Sequence, residues 1–354
     1  MSRNLFVAHT QNNLVTIIGI VKKRFPQNGK NDLILFQDFF VGQDLEHILN
    51  EIFDNVYMFH GSILKKKNSY LYKLYMYNYL NSTLKKNIKT PYNNVFLILD
   101  YNYPEMLIIK LTNLLSKDTT YYWIEDGSTP YFKINVKNKG LGSNRYSLKF
   151  REIIFKYLLN LKEYYHYDKV PGQHFLITKQ YVSFPRLVTN EYRNKETLKI
   201  SNTIVTIGIN SVFQNISRKF KSKSALILLD KLERYDNKNE VIKLYDEISK
   251  NLVDYGYDVY YKYHPREEEE IEVLKKNTQL NKNVAIEAYY PDLDSQHSIV
   301  IGTSTNGLQT AVQMNIKTFS LIKILNYKDK ELVNFYEEIG IVVPKDSSSL
   351  LNQL

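Results

Sequence analysis

One histidine of the sequence stands where its ring could bind a phosphate group. His264 and Pro265 follow the apolar run Val259–Tyr263, and the acidic run Glu267–Glu270 comes next. The apolar run predicts a strand, and a proline followed by acidic residues is typical of the first turn of a helix. A histidine between a strand and a helix N-terminus can donate an N–H to an anion that the helix dipole also favours. An ordinary surface histidine at a turn is the alternative interpretation.

Two adjacent carboxylates follow another predicted strand. Glu125, Asp126 and Gly127 come directly after Tyr121–Ile124. Successive side chains of a strand point to opposite faces, so one acid could accept a proton from a substrate while the other holds a turn or caps a helix. An Asp-Gly turn without a chemical role is the alternative.

Small hydroxyl residues follow a third predicted strand. Gly302, Ser304 and Thr305 lie between Ile299–Ile301 and the predicted helix Leu308–Met314. Hydroxyls and backbone N–H groups at a helix N-terminus bind phosphate, although the same residues are also ordinary helix caps. The sequence contains neither Gly-x-Gly-x-x-Gly nor a Walker A motif. A dinucleotide oxidoreductase and a P-loop ATPase are therefore disfavoured.

The elements that must position these residues alternate between strands and helices. Further predicted strands are Leu5–Ala8, Asp32–Phe36, Asn55–Phe59, 95–99, Ala225–Leu229, Val284–Ile286 and Thr318–Leu321, and predicted helices are Leu45–Ile52, Tyr70–Leu84, Glu105–Leu115, Glu240–Leu252 and Glu268–Lys275. This alternation is typical of parallel α/β sheets, which bind ligands outside the carboxyl ends of their strands. A weakly periodic stretch, 165–202, predicts a linker with a few irregular strands. The sequence thus predicts an α/β protein with two Rossmann-like domains, 1–190 and 191–354, and a cleft between them. This GT-B-like architecture is known from glycosyltransferases, in which the cleft binds a nucleotide sugar.

Composition narrows the classes of protein that fit. The chain has 354 residues, no cysteine, 47 lysines and arginines against 37 acidic residues, and a formal charge of +10. Thiol chemistry is excluded, and the charge favours anionic partners. The basic residues are scattered, without the stripe of a nucleic-acid-binding module, so we expect no nucleic acid partner. We find no apolar run long enough to cross a bilayer and no signal peptide at the start, so we expect a cytoplasmic protein that can associate peripherally with the inner face of the membrane.

In this order, the three segments resemble the bacterial sialyltransferases of the lipooligosaccharide and capsular polysialic acid families. Those families show an acidic pair plus glycine in the first domain, His-Pro in the second, and Ser-Ser or Ser-Thr after a later strand. The opening segment, 4–10, also looks like their first strand, and the resemblance extends to about residue 325. Thr305 stands where a second serine is more usual, so the hydroxyl is preserved.

The resemblance implies an inverting transfer of sialic acid from CMP-sialic acid to a galactoside or sialoside. It implies catalytic roles for Glu125 as base, His264 as phosphate-side acid and Asp126 as holder of the turn, and substrate-binding roles for Thr10, Gly127, Pro265, Gly302, Ser304 and Thr305. The base could instead be Asp126. Because CMP carries one phosphate, and no His-x-x-x-His or comparable ligand spacing occurs, we expect no cofactor and no metal.

Two other functions remain open from the sequence. One is another GT-B transferase of envelope polymers, which would move a different glycosyl group or a glycerophosphate. The other is a non-catalytic protein that binds anionic glycans or membranes through its positive charge. A screen of donors separates these functions from sialyl transfer.

Overall fold

A computed structural model describes residues 2–25, 29–37, 39, 41–60, 70–132, 153, 156–157, 160–164, 170–214, 216, 219–327 and 329–354, with the side chains of 60 and 70–74 left aside. The chain forms two compact units, Met1–Ile200 and Ser201–Leu354. Each unit is built on its own parallel sheet.

The first unit contains a seven-stranded sheet. Its strands are β1 (Ser2–Ala8), β2 (Gly29–Gln37), β3 (Asn55–His60), β4 (Asn94–Leu97), β5 (Thr120–Ile124), β6 (Ile177–Val182) and β7 (Glu196–Lys199), and its helices are α1 (Gln11–Arg24), α2 (Gln43–Ile52), α3 (Tyr70–Asn87) and α4 (Tyr103–Leu115). The central strands are apolar and fully buried, as in β1, where Leu5, Phe6 and Val7 have no exposed surface. Strands buried on both faces need helices on both sides, and the crossover helices supply them.

The order of the strands locates the edge of this sheet where a ligand can bind. The order is β3-β2-β1-β4-β5-β6-β7, and every pairing is parallel. The winding of the chain therefore reverses between β1 and β4, which are neighbours. In open parallel sheets, ligands bind at the carboxyl ends of the strands beside such a reversal.

The second unit repeats this plan with five parallel strands. The strands are β8 (Ser224–Leu228), β9 (Asp258–Lys262), β10 (Thr278–Gln279), β11 (Ile299–Gly302) and β12 (Lys317–Ser320), and the helices are α5 (Asn202–Val212), α6 (Lys238–Asp254), α7 (Asn306–Gln313), α8 (Lys330–Glu338) and α9 (Ser347–Leu351). The order β10-β9-β8-β11-β12 places the reversal between β8 and β11. A continuous apolar core, which includes Ile227, Tyr245, Ile301 and Phe319, joins the sheet to its helices.

The predicted α/β class with two Rossmann-like domains is confirmed, while three local predictions are wrong. The stretch 165–202 was expected to be a linker with irregular strands, yet β6 and β7 are regular members of the first sheet. No strand forms at Val284–Ile286, because Ile286 begins a 3-10 turn that packs against Gly307 of α7. No α-helix forms over Glu268–Lys275, where only Glu272–Leu274 makes a 3-10 turn.

The lack of an α-helix over Glu268–Lys275 has an electrostatic cause. The Glu267 carboxylate accepts hydrogen bonds from the backbone N–H groups of Glu268, at 2.9 Å, and Glu269, at 3.0 Å. A side chain that binds the following N–H groups competes with helix formation, and consecutive like charges repel one another. The acidic run therefore remains an extended turn.

Within the described ranges, none of the helices combines the length and the apolar character that crossing a membrane requires.

Candidate active site

Glu125 lies at the carboxyl end of β5, where two side chains of the first unit hold its carboxylate. The hydroxyl groups of Tyr131 and Ser183 both donate hydrogen bonds to it, and the backbone N–H of Ser183 donates a third at 2.9 Å. Ser183 directly follows β6, the strand that neighbours β5. The sheet therefore fixes the direction of the Glu125 side chain.

The surroundings of Glu125 adjust its proton affinity. Burial raises the pKa of Glu125 to about 7, although the hydrogen bonds from Ser183 and Tyr131 lower it. A general base works best when its pKa lies near the pH at which it operates. The pKa of Glu125 therefore lies near neutral pH, where the carboxyl group is partly ionised.

Gly127 makes this arrangement possible. Its φ of 73° lies in the left-handed region, which side chains other than glycine rarely adopt. The chain turns there, and Tyr131 at the end of the 3-10 turn Thr129–Tyr131 comes back to Glu125. Gly127 therefore shapes the site through the backbone.

Asp126 turns toward a different neighbour. Its Oδ1 accepts a hydrogen bond from Nδ2 of Asn13, on α1, at 3.5 Å. The side chain thus contacts helix α1 of the same unit. Burial raises the pKa of Asp126, opposed by the hydrogen bond from Asn13 and the positive charge of His9.

Thr10 caps helix α1 next to this contact. Its Oγ1 accepts a hydrogen bond from the backbone N–H of Asn13 at 3.2 Å, and the Asn13 side chain accepts from the Thr10 N–H at 3.1 Å. This reciprocal capping box begins α1 at Gln11. Thr10 thus positions Asn13, and through it Asp126.

In the second unit, His264 follows β9 in a tight turn. Its carbonyl oxygen accepts a hydrogen bond from the N–H of Glu267 at 2.9 Å, and exposed Pro265 occupies the turn. The prediction that Pro265 opens an α-helix is wrong, so no helix dipole acts on His264 from this segment. The His-Pro segment is held instead by the buried Glu267 carboxylate, which accepts the Leu232 N–H at 2.6 Å.

The hydrogen bonds of His264 identify its tautomer. Its Nδ1 accepts the backbone N–H of Arg266 at 3.1 Å, so the proton of a neutral ring resides on Nε2. Burial, and next the positive charge of Arg234, lower the pKa of His264. The ring is therefore neutral at pH 7 and offers Nε2–H as a donor.

The segment between β11 and α7 provides further donors. Thr305 is the N-cap residue of α7, and its hydroxyl accepts the Gly307 N–H at 3.4 Å. Ser304 is partly exposed, and its hydroxyl forms no hydrogen bond with any residue that the structure describes. Gly302 permits close packing, since a Cβ there would lie 3.2 Å from both Leu228 and Leu308.

Several residues at this edge of the second sheet were not singled out from the sequence. Asp230 follows β8, and its carboxylate accepts a hydrogen bond from the Tyr235 hydroxyl at 3.2 Å. The same hydroxyl lies 3.1 Å from Oγ1 of Thr303, which follows β11. These contacts tie together the ends of β8 and β11, on the two sides of the reversal.

Two oppositely charged residues are buried near His264. Lys262 is the last residue of β9, and Glu287 belongs to the 3-10 turn Ile286–Asp292. Burial lowers the pKa of Lys262 and raises that of Glu287, while the attraction between their charges opposes both changes. A lysine at the end of a strand and a glutamate in a turn show no distinctive pattern in the sequence.

No group of three or more histidine and acidic side chains within the described part of the chain could hold a metal ion.

Several solved structures share this fold at low sequence identity. The chain is similar to UDP-GlcNAc 2-epimerase from Neisseria meningitidis bound to UDP-GlcNAc, with a TM-score of 0.55, 11% identity, and coverage of 99% of this chain and 90% of that one. The chain is also similar to the epimerase from Methanocaldococcus jannaschii in complex with UDP-GlcNAc and UDP. The TM-score is 0.53, the identity is 11%, and the match covers 99% of this chain and 91% of that one. A variant of the wall teichoic acid polymerase TagF matches with a TM-score of 0.51 and 11% identity, over 99% of this chain and 79% of that one. At these identities the likeness shows the fold, a GT-B-type pair of Rossmann-like domains.

A family model narrows this class. The model of the alpha-2,8-polysialyltransferase (POLYST) family matches residues 41–323. The chain belongs to this family, and it is therefore a glycosyltransferase. A search of the curated proteins finds no significant match.

Proposed function

We propose that the protein is an inverting sialyltransferase that moves sialic acid from CMP-sialic acid to a hydroxyl of a cell-surface glycan, a galactoside or a sialoside. The observation that carries this proposal is the state of Glu125 in a chain of the polysialyltransferase family. Its carboxylate is held by Tyr131 and Ser183 at a strand end, and its pKa of about 7 suits a base. Carboxylates with a perturbed pKa cluster at catalytic sites.

The reaction is a single displacement at the anomeric carbon. The acceptor oxygen attacks this carbon while Glu125 takes the proton of the hydroxyl, and the bond between the carbon and the phosphate oxygen breaks. The electron pair of that bond leaves with CMP. Attack from the face opposite to the leaving group inverts the configuration.

The second unit supplies the groups that act on CMP. Negative charge grows on the phosphate as the bond breaks, and donors aimed at that charge stabilise the transition state. We assign this role to Nε2–H of His264, the hydroxyl of Ser304 and the N–H groups that begin α7. The imidazole acts as a neutral hydrogen-bond donor in the ground state, rather than as an imidazolium.

A donor screen tests the proposal. Purified protein is incubated with a lactoside or an α2,8-linked sialic acid oligomer and with CMP-sialic acid, CDP-glycerol or UDP-sugars, and products are identified by mass spectrometry and NMR. We expect transfer from CMP-sialic acid alone, with inverted configuration. Turnover of CDP-glycerol or a UDP-sugar would indicate another envelope-polymer transferase, and binding without turnover would indicate a non-catalytic protein.

A co-crystal structure with CMP tests the assignment of the second unit. We expect the phosphate within hydrogen-bond distance of His264 Nε2 and Ser304. CMP bound elsewhere would remove these residues from the mechanism.

We also propose that the enzyme works on the cytoplasmic face of the membrane. Its excess of ten positive charges favours anionic lipid surfaces. Co-sedimentation with vesicles of phosphatidylglycerol, but not with phosphatidylcholine vesicles, is the expected result, and equal partition between the two would contradict it.

A further inference from the structure

A histidine and a buried glutamate meet at the reversal of the first sheet. His9 follows β1, Glu105 lies in the first turn of α4, and Nε2 of His9 contacts the Glu105 carboxylate. The Glu105 side chain has no exposed surface, while 14% of the His9 side chain is exposed. The pair therefore places a fixed imidazole where parallel α/β sheets bind their ligands.

Helix α4 does not need this carboxylate for packing. Met106, Ile108 and Ile109 are fully buried and join the helix to the sheet. Oε2 of Glu105 is buried and has no hydrogen-bond partner among the described residues. A buried and incompletely satisfied carboxylate is costly, and such groups in native proteins call for an explanation. The contact of Glu105 with Nε2 of His9 orients the His9 ring.

The His9 ring is also held on its face. It stacks on Phe36 of β2, with ring centroids 5.2 Å apart and an angle of 19° between the planes. A side chain that is fixed by stacking and by a hydrogen bond loses little further freedom when it binds a ligand.

Asn13 connects His9 with the acidic pair. Its Oδ1 accepts the backbone N–H of His9 at 3.2 Å, and its Nδ2 donates to Asp126 at 3.5 Å. Asn13 thus holds both the backbone of His9 and the Asp126 carboxylate, and the charge of His9 acts on Asp126. Asp126 adjoins Glu125 in the chain.

We propose that His9 binds the acceptor sugar, together with Asp126, and that Glu105 is a positioning residue that acts through His9. This inference rests on the proposed function, in which the first unit receives the acceptor. Sugar hydroxyls both donate and accept hydrogen bonds, so an imidazole and a carboxylate together match a polyhydroxylated ring. The ligand class is a neutral or acidic glycan presented next to the base Glu125.

The test uses His9→Asn and Glu105→Gln, two variants that keep a polar side chain. The matched control is His47→Asn, which changes an exposed histidine on α2 that lies 3.6 Å from Glu51. Initial rates are measured against acceptor concentration at saturating CMP-sialic acid, and hydrolysis of CMP-sialic acid is measured without acceptor. Thermal unfolding establishes that each variant is folded.

We expect the acceptor KM to rise about 10-fold or more in His9→Asn, since a hydrogen bond to substrate is lost, and to rise less in Glu105→Gln. The rate of donor hydrolysis in both variants should change by less than about twofold. The transfer and hydrolysis rates of the control His47→Asn should also change by less than about twofold, within the scatter of surface substitutions. An unchanged acceptor KM in the folded variants would overturn the proposal. Equal loss of donor hydrolysis and transfer would show that the pair has only a structural role. Unfolding of both variants, but not of the control, would show the same, and either result would overturn the proposal.

A binding measurement separates this inference from the proposed function. Saturation-transfer NMR detects binding of the sialic acid oligomer or the lactoside without any donor. Binding that His9→Asn weakens supports the inference even if wild-type protein does not turn over CMP-sialic acid. Transfer activity together with unaltered acceptor binding in His9→Asn rejects the inference and leaves the sialyltransferase proposal intact.

Discussion

The Tyr131 hydroxyl donates a hydrogen bond to the Glu125 carboxylate, and Ser183, directly after the neighbouring strand β6, donates two more. These donors favour the ionised carboxylate, whereas burial favours the neutral acid. Burial dominates, so the pKa of Glu125 rises to about 7. The balance leaves an oriented carboxyl group that exchanges its proton at neutral pH.

Replacement of Glu125 by glutamine should abolish most transfer while CMP binding remains. The amide cannot accept the proton of the acceptor hydroxyl, and general bases contribute about 10²- to 10⁴-fold to rate. Transfer is measured with CMP-sialic acid, and CMP affinity by calorimetry. Glu51→Gln, at an exposed residue of α2, is the control. A near wild-type rate in Glu125→Gln would move the role of base to Asp126.

The pH dependence of transfer should reflect the proton of Glu125. The carboxylate predominates above a pH of about 7, so the rate should rise with pH and reach half of its maximum near that value. Tyr131→Phe and Ser183→Ala each remove a donor that stabilises the anion, which raises the pKa of Glu125 further. Both profiles should therefore move to higher pH, while Tyr75→Phe, at an exposed tyrosine, should leave the profile in place. Movement to lower pH would contradict this account.

His264→Ala should impair both transfer and CMP binding, because the Nε2–H donor acts on the phosphate in the complex and in the transition state. A loss of about 10²-fold or more in kcat/KM is expected for such a group. The wild-type rate should not fall between pH 7 and 8.5, since burial lowers the pKa of His264 and the ring works in its neutral form. His297→Ala, at an exposed histidine, serves as the control. A basic limb that His264→Ala abolishes would restore the imidazolium to the mechanism.

The steric fit around Gly307 should be essential to the start of α7. An added Cβ would lie 2.7 Å from Ile286 Cγ2 and 3.1 Å from the Tyr290 hydroxyl, which donates to the Gly307 carbonyl at 2.8 Å. Gly307→Ala should destabilise the protein by about 1–3 kcal/mol, as overpacking does, and raise the donor KM. Chemical denaturation and donor kinetics measure these effects. Asn306→Ala, at the exposed neighbouring residue, should preserve both the stability and the donor KM. If the two variants lost stability equally, a steric cause at Gly307 would be refuted.

The strands that carry the site could be predicted because they are short apolar runs rich in β-branched and aromatic residues. This applies to β5 before Glu125, β9 before His264 and β11 before Ser304, whose positions agree with the sequence to within one or two residues. The parallel pairing of the strands also follows from their alternation with helices. The placement of polar residues at strand ends was therefore accessible from the sequence.

The partners of those residues were not accessible, since they depend on distant or competing contacts. Ser183 lies 58 positions from Glu125 and follows β6, whose polar Lys179 and Gln180 interrupt the apolar pattern. Glu267 looked like a helix-start residue, but its carboxylate binds N–H groups of its own turn and of Leu232. Such tertiary hydrogen bonds leave no periodic signal.

Most acids of the run Glu267–Glu270 are bound by other protein groups. Glu267 accepts N–H groups from the backbone, Glu269 accepts a hydrogen bond from Lys238, and Glu270 lies 3.2 Å from Lys275. Three acids of the run Glu267–Glu270 therefore have protein partners.

Donor turnover should need no divalent metal. CMP carries one phosphate, and Nε2–H of His264, the Ser304 hydroxyl and the N-terminal N–H groups of α7 are the donors we assign to its growing charge. Protein is stripped with EDTA and dialysed, and transfer from CMP-sialic acid to a galactoside is measured with and without excess EDTA. We expect equal rates, and equal rates again after addition of magnesium or manganese. A loss of activity that either ion restores would overturn the assignment of His264 and Ser304 to the leaving group, because a metal ion would then neutralise the phosphate in their place.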